Sequence, residues 1–345
     1  MPCMMRIALD WTPNGNHVGI FVALAKGWYK GAGLDIELLS PHQDNYSQTP
    51  ASKVLSGVAD VAIGPSETVI SHHHACRPAG GEGVDLVSVA ALLQQDDSAI
   101  VTLKSSGIDS MKKLQNKRYG SYGARYEGRI VKQMIQNDGG TGEYEEVTPE
   151  KLGLWNTVVN GTTDATWIFM SWEGEEAKMK GIDLNVFPLK DYGVHYGYPL
   201  VMFAKPDKVR SEARENIASF LRETARGYEF AVSNKDEAAA LMIAEWQRLF
   251  PEFPMDEELV RRSVAAASST FLDGQEKWGT MTADRWDSFL VWLSENGFLT
   301  NKMQSRNPQK EHETTLDGLR QGDAGEKVDK AAIPLEELFV SDLLQ

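Results

Sequence analysis

Four short clusters bring aromatic rings, carboxylates and amides together at spacings that suit capture of a small flat ligand. In Asp10-Trp11-Thr12-Pro13-Asn14-Gly15-Asn16-His17, Trp11 offers a face for stacking, and Asp10, Asn14 and His17 offer hydrogen bonds. The same residues equally suit a turn that caps a helix from His17, with Trp11 in the core. In Gly64-Pro65-Ser66-Glu67-Thr68, Ser66 or Glu67 either caps a helix or touches a ligand, and free N–H groups there could hold an anion. The third cluster runs from Tyr119 to Gly128 and carries Tyr122, Gly123 and Arg125, a flexible turn whose guanidinium suits phosphate or carboxylate. Its glycines lack the dinucleotide spacing and no G-K-S/T follows, which argues against NAD and P-loop chemistry. In Trp167-Ile168-Phe169-Met170-Ser171-Trp172-Glu173-Gly174, Phe169 and Trp172 could stack on an amine-bearing ring while Glu173 accepts its hydrogen bonds. Core packing explains Trp167 or Phe169 as well. Tyr198, within His195-Tyr196-Gly197-Tyr198-Pro199, adds aromatic surface near the expected crossing between lobes.

Other chemistries find less support. Consecutive helical residues point about 100° apart, so His72-His73-His74 cannot converge on one ion without unwinding, and no HxxxH or HExxH pattern occurs. No G-x-S-x-G elbow supports a serine hydrolase. The 345 residues carry a formal net charge of −14, against the basic face that nucleic acid requires. Cys3 and Cys76 cannot build a disulfide framework, and no run approaches a membrane span. Residues 1–9 contain no secretory leader pattern, so the expectation is a cytoplasmic protein, with a trimmed exported chain as the alternative.

Positioning these clusters requires the elements around them. Strand patterns are read at 6–10, 34–39, 60–64, 118–122, 144–147 and 165–170, with a further apolar run at 85–93. Helical patterns alternate with them at 17–30, 49–56, 67–75, 126–136, 152–159 and 172–179. Strands separated by helices need crossover connections, so the expected fold is α/β: two lobes, each a mostly parallel sheet flanked by helices, with the ligand cleft between them. From about residue 211 the pattern turns helical, at 212–234, 236–246, 256–269 and 283–296. Residues 301–330 read as a mobile polar linker, and 333–344 as a short closing segment.

At Asp10-Trp11-Thr12-Pro13-Asn14, Lys26-Gly27-Trp28-Tyr29, Gly33-Leu34-Asp35-Ile36 and Gly64-Pro65-Ser66-Glu67, the chain resembles the thiamine-pyrimidine synthase and alkanesulfonate-binding group of type II periplasmic-binding-protein folds. The likeness covers roughly residues 6–300. It implies a discontinuous first lobe, 1–94 plus 200–300, a second lobe at 95–199, hinges near 95 and 200, and a linker and closing segment at 301–345.

In the fungal synthase of this group, a lysine holds pyridoxal phosphate, a histidine is consumed, and a cysteine-rich run binds iron. By resemblance the lysine falls at 62–68, where this chain has none, and from that segment onward no histidine occurs until His72; the region of the cysteine-rich run, near 194–201, holds no cysteine. Trp11, Phe169 and Glu173 look similar to the stacking aromatics and carboxylate of the formylaminopyrimidine-binding branch. The expected function is therefore binding of a flat nitrogenous ligand, a thiamine-pyrimidine precursor, with no cofactor and no catalytic residue. One alternative is a synthase-like enzyme, to which pyridoxal phosphate and iron would belong. The other is a sulfonate binder, in which Arg125 and the turn at 120–128 matter most. An ABC-type permease would be a partner only of an exported form.

Overall fold

The computed structural model describes residues 2–76, 83–148, 153–304 and 313–344. The first residues form β1 (Cys3–Ala8), followed by β2 (Leu34–Leu39), β3 (Val61–Gly64) and β4 (Val87–Ala91). Strand β2 alternates as an edge strand should, with Leu34, Ile36 and Leu38 buried and Glu37 exposed; β3 and β4 are buried throughout and correspondingly aliphatic. The chain then crosses over and lays down β5 (Ser98–Leu103), β6 (Arg118–Gly120), β7 (Glu145–Val147), β8 (Ala165–Phe169) and β9 (Leu184–Pro188), before returning as β10 (Val201–Ala204). The first sheet has the order β2-β1-β3-β10-β4 and the second β7-β6-β8-β5-β9.

Both sheets are mixed: in each, four strands point the same way, as expected, and one is reversed. In the first, β1 runs parallel to β2 and β3, whereas β10 is antiparallel to β3 and β4. In the second, β6 is parallel to β7 and β8, whereas β5 is antiparallel to β8 and β9. The physical reason lies in the crossings. A parallel neighbour in one sheet needs a helix-length connection. Strands β5 and β10 instead arrive directly from the other sheet and insert in the reverse sense.

Helices cover these sheets. The expected helix at 17–30 is split at Gly27, which adopts a left-handed φ of +68°, into Val18–Ala25 and Trp28–Gly31. Helix Val18–Ala25 crosses helix Arg214–Ser233 at two facing glycines: a Cβ on Gly227 would stand 2.0 Å from the Gly19 carbonyl oxygen, and one on Gly19 would stand 2.3 Å from the Tyr228 ring. Gly227→Ala is therefore expected to lower stability by about 1–3 kcal/mol through overpacking, seen as an earlier denaturant midpoint; an unchanged midpoint would show that the crossing is loose.

One apolar cluster fills the first sheet's outer side, from Ile7 and Val18 to Phe220 and Met242. Another runs from Val54 and Ile70 through Ile130 and Met134 to Phe289 and Leu293, so helix Ala283–Glu295 joins the two lobes in a common core.

Residues 301–330, expected to be a mobile linker, are structured in their described part. Met303–Gln304 pairs with Glu313–Thr314, and helix Leu316–Arg320 follows. Residues 305–312 of that expectation, and the start of the helix expected at 152, lie outside the described residues. The closing segment carries helix Leu335–Leu338 and docks on β4, where the Val340 N–H donates to the Ser88 carbonyl at 2.9 Å.

Candidate functional site

Each of the four clusters follows a parallel strand: β1, β3, β6 or β8. These are neighbours at the middle of their sheets, and loops at the carboxyl ends of such strands are where open α/β folds form crevices. The two sheets turn these loops toward each other. Trp11, after β1, meets Tyr122, after β6, edge-on with ring centroids 5.4 Å apart and planes at 77°. Tyr46 lies 6.2 Å from Trp11 on the first-lobe side. Below the rings the Ser171 hydroxyl donates to Asn16 Oδ1 at 3.5 Å, a second contact between lobes.

The rest of the first cluster is bonded to itself. His17 Nε2 lies 2.8 Å from Asp10 Oδ1, and His17 Nδ1 accepts from the Asn14 N–H at 3.2 Å. Asn14 Oδ1 accepts from the Asn16 N–H at 2.9 Å, and its amide donates to the Thr12 carbonyl. With His17 fully buried, this network fixes the turn and leaves Trp11, which belongs to neither large core cluster, projecting as the interacting group.

Glu173 opens helix Glu173–Met179 and is 8% exposed. Its Oε2 accepts from the Phe169 N–H at 3.2 Å. Burial pushes its carboxyl up to about 7, with Glu176 and Asp97 adding to the rise. The Glu173 charge in turn raises the Tyr122 hydroxyl, which burial already holds well above its ordinary value, so these two groups are electrostatic neighbours. Asp97, at the crossing into β5, accepts from the Ser171 N–H at 3.0 Å and keeps a buried, unpartnered Oδ1. Two buried carboxyl groups thus lie near the strand-end turn after β8, one of them beside the Tyr122 ring that meets Trp11.

Ser66 and Glu67, after β3, are buried at 0% and 5% exposure, and Ser66 Oγ and Glu67 Oε2 have no partner. Burial pushes the Glu67 carboxyl up to about 8; Glu127 raises it further while Arg320 and Arg125 pull it down. Between the ordinary carboxyl value and about 8 the folded chain holds a proton that the unfolded chain has released. Stability should therefore fall as pH rises through that window, by at most about 1.4 kcal/mol per pH unit. Glu67→Gln is expected to flatten this slope between pH 5 and 8 in urea titrations, and a variant retaining the parent's slope would contradict the assignment.

The turn at 121–126 is organised by Glu127, whose carboxylate accepts from the Tyr119 hydroxyl at 2.8 Å, the Ser121 hydroxyl at 3.0 Å, and the Tyr122 and Ala124 N–H groups at 3.1 and 3.2 Å. Gly123 sits at φ +74°, a turn conformation that a side chain would strain. Arg125, read from sequence as an anion contact, is buried and gives its guanidinium to the Thr300 carbonyl at 2.6 Å while lying over the Tyr126 ring. The Tyr198 hydroxyl accepts from the Thr282 N–H at 2.9 Å beneath Arg285, and Trp172 packs against the first core cluster.

Tyr46, Asp97 and Glu127 were not singled out from sequence. Glu127 opens helix Glu127–Asn137, and its only sequence signal is an acid in a first helical turn. Tyr46, held at φ +60°, has none. The three histidines diverge: His73 pairs with Glu337 at 2.7 Å, His74 with Asp85 at 3.0 Å, and His72 Nδ1 lies 2.8 Å from the Thr68 carbonyl. Among the described residues no group of three or more His, Cys, Asp or Glu side chains could hold a metal ion. No described helix is long and apolar enough to cross a membrane.

Two mixed sheets, a double crossing and a cleft lined by strand-end loops define the two-lobed architecture of periplasmic binding proteins. The chain belongs to the NMT1/THI5 like family, whose family model matches residues 14–238. It is 26% identical over 298 residues, 86% of each chain, to the formylaminopyrimidine-binding protein of Halalkalibacterium halodurans. Over 164 residues, 46% of this chain and 43% of the other, it is 30% identical to a 4-amino-5-hydroxymethyl-2-methylpyrimidine phosphate synthase of Saccharomyces cerevisiae. The fold is similar to that of the periplasmic aliphatic sulphonate binding protein SsuA from Escherichia coli, with a TM-score of 0.59 at 12% identity over 96% of this chain and 92% of that one.

The residues present do not fit the pyridoxal phosphate and iron of the synthase branch. Segment 62–68 forms the buried end of β3 and the first turn of helix Ser66–Ser71 and presents no amine. The buried Lys53 is paired with Asp44 at 2.8 Å. Cys76 is buried and Cys3 exposed at the start of β1, so neither belongs to a cysteine-rich run.

Proposed function

We propose that this protein binds an aminopyrimidine precursor of thiamine between its lobes, without catalysis. The observation that carries the reading is Glu173: a buried carboxylate pushed up to about 7, beside Tyr122, whose ring meets Trp11 from the opposite lobe. An aminopyrimidine offers what these groups lack, a flat face for the rings and N–H donors for the acid. The formylaminopyrimidine-binding protein, similar along most of both chains, supports the same class of ligand. A sulfonate fits less well, because Glu67, Glu127, Glu173 and Asp97 crowd the region with buried carboxyl groups while Arg125 is held by Thr300. In a thermal-shift panel, aminopyrimidines should stabilise the protein and alkanesulfonates should not; the reverse order would overturn the reading.

We extend the proposal to a cytoplasmic site of action, which the two free thiols support. Delivery to an ABC-type permease would instead require export. Fractionation of cells expressing the full gene decides: the reading expects the protein in the cytoplasmic fraction, and recovery outside the cytoplasmic membrane would contradict it.

A further inference from the structure

The C-terminal segment 313–344 lies beyond the residues matched by the family and reaches both lobes. At one end, on the second lobe, Arg320 binds Glu146 through both carboxylate oxygens, at 2.6 and 3.1 Å. The same guanidinium donates to the carbonyl oxygens of Ala124 at 3.0 Å and Arg125 at 2.9 Å. Gln304 donates to the neighbouring Gly123 carbonyl at 2.6 Å. The packing makes room for this arrangement: a Cβ on Gly128 would lie 2.3 Å from Arg320 Nε and 2.4 Å from Glu146 Oε2.

At the other end the segment is fastened to the first lobe. Glu337 accepts from the Gly83 N–H at 3.0 Å and pairs with His73, Phe339 stacks on Trp286, and Asp342 pairs with Arg214 at 2.8 Å. The loop that carries Tyr122 is therefore held from two sides, internally by Glu127 and externally by Arg320. The external hold is tied to the lobe that carries Trp11.

We propose that Arg320 is a positioning residue for the cleft: it fixes the 121–126 loop, and with it the placement of Tyr122 against Trp11, from a strap anchored on the opposite lobe. A planar guanidinium in a two-pronged carboxylate pair with two carbonyl acceptors leaves that loop little freedom. Pre-organising a binding loop raises affinity without adding a ligand contact. The affinity part of this inference rests on the aminopyrimidine reading; the loop-ordering part does not.

The test uses the full chain with Arg320→Met, Arg320→Lys and the control Asp342→Asn at the strap's far end. Hydrogen exchange of the ligand-free protein should show at least about tenfold faster exchange at the Tyr122 and Ala124 amides in Arg320→Met, with the Val340 amide unchanged. Arg320→Lys should restore part of the protection, and Asp342→Asn should leave residues 121–126 as in the parent. Calorimetry with 4-amino-5-hydroxymethyl-2-methylpyrimidine should show about tenfold weaker binding for Arg320→Met, and no further loss when Tyr122→Ala is already present. Unchanged exchange at 121–126, or a uniform rise across the whole chain, would overturn the proposal. Should Arg320→Met not fold, the same comparison on Arg320→Lys decides. Faster loop exchange in a protein whose parent binds no pyrimidine would support the loop role and refute the ligand reading.

Discussion

Glu173→Gln is expected to make the ligand-free protein more stable and its ligand binding weaker. The folded carboxyl titrates near 7, above its ordinary value, because burial disfavours its charge. The folded state thus holds a proton the unfolded state lacks between about 4.5 and 7, and stability declines as pH rises through that window. Above it the penalty is complete, on the order of 3 kcal/mol, and the uncharged amide removes it. Binding should move the other way. A hydrogen bond from an exocyclic amine to an ionised acceptor contributes roughly 1.5–3 kcal/mol, so the amide should weaken affinity by about one to two decades. The parent's affinity should also rise as pH passes 7, whereas that of Glu173→Gln should stay flat. Melts and calorimetric titrations at pH 6 and 8.5 check both directions. A variant that loses stability and keeps affinity would place Glu173 in the core and not in the site.

Trp11→Ala is expected to show the complementary pattern, a large loss of affinity with a small change in stability. The indole contacts Tyr46 and Tyr122 but belongs to neither large core cluster, and the turn beneath it is held by Asp10, Asn14 and His17 without it. Stacking of a heteroaromatic ring on an aromatic side chain contributes about 1–3 kcal/mol, which corresponds to roughly ten- to hundredfold in affinity. Stability should fall by less than about 1.5 kcal/mol, as befits a partly buried side chain outside both large core clusters. A melt that collapses while the remaining folded protein binds normally would show that the ring supports the fold instead.

The elements flanking the site were legible because their patterns are local. Strand β2 was read residue for residue from its alternation, and the helices at Glu127–Asn137, Glu173–Met179 and Arg214–Ser233 were read to within about two residues from their apolar period. The strands that escaped were β5, β9 and β10, whose pairings are the antiparallel ones. Strands β5 and β10 arrive directly from the other sheet, without the strand-helix alternation that marks their neighbours, so the one reversed strand of each sheet was among those missed. The four clusters were recognised as strand-to-helix turns, because Gly, Pro, Asn and Ser punctuate them. What each side chain does within them was not legible. Asp10 and His17 read as ligand groups, yet they pair with each other. Arg125 read as an anion contact, yet its partner is Thr300, 175 positions away. Nothing in a polar segment rich in Lys, Asp and Gly announced that Arg320 would return to the Tyr122 loop. Such partnerships are set by tertiary packing, which local spacing does not encode.

The most direct test is a calorimetric titration of the parent chain with 4-amino-5-hydroxymethyl-2-methylpyrimidine and its formylamino counterpart at pH 8, with an alkanesulfonate as comparison and absorbance recorded throughout. Binding of a pyrimidine in the micromolar range or tighter, with one site per chain, no sulfonate heat and no pyridoxal-type absorbance, is the expected result. Sulfonate binding without pyrimidine binding, or a protein that carries bound pyridoxal phosphate, would contradict the proposal that this cleft is a non-catalytic aminopyrimidine site.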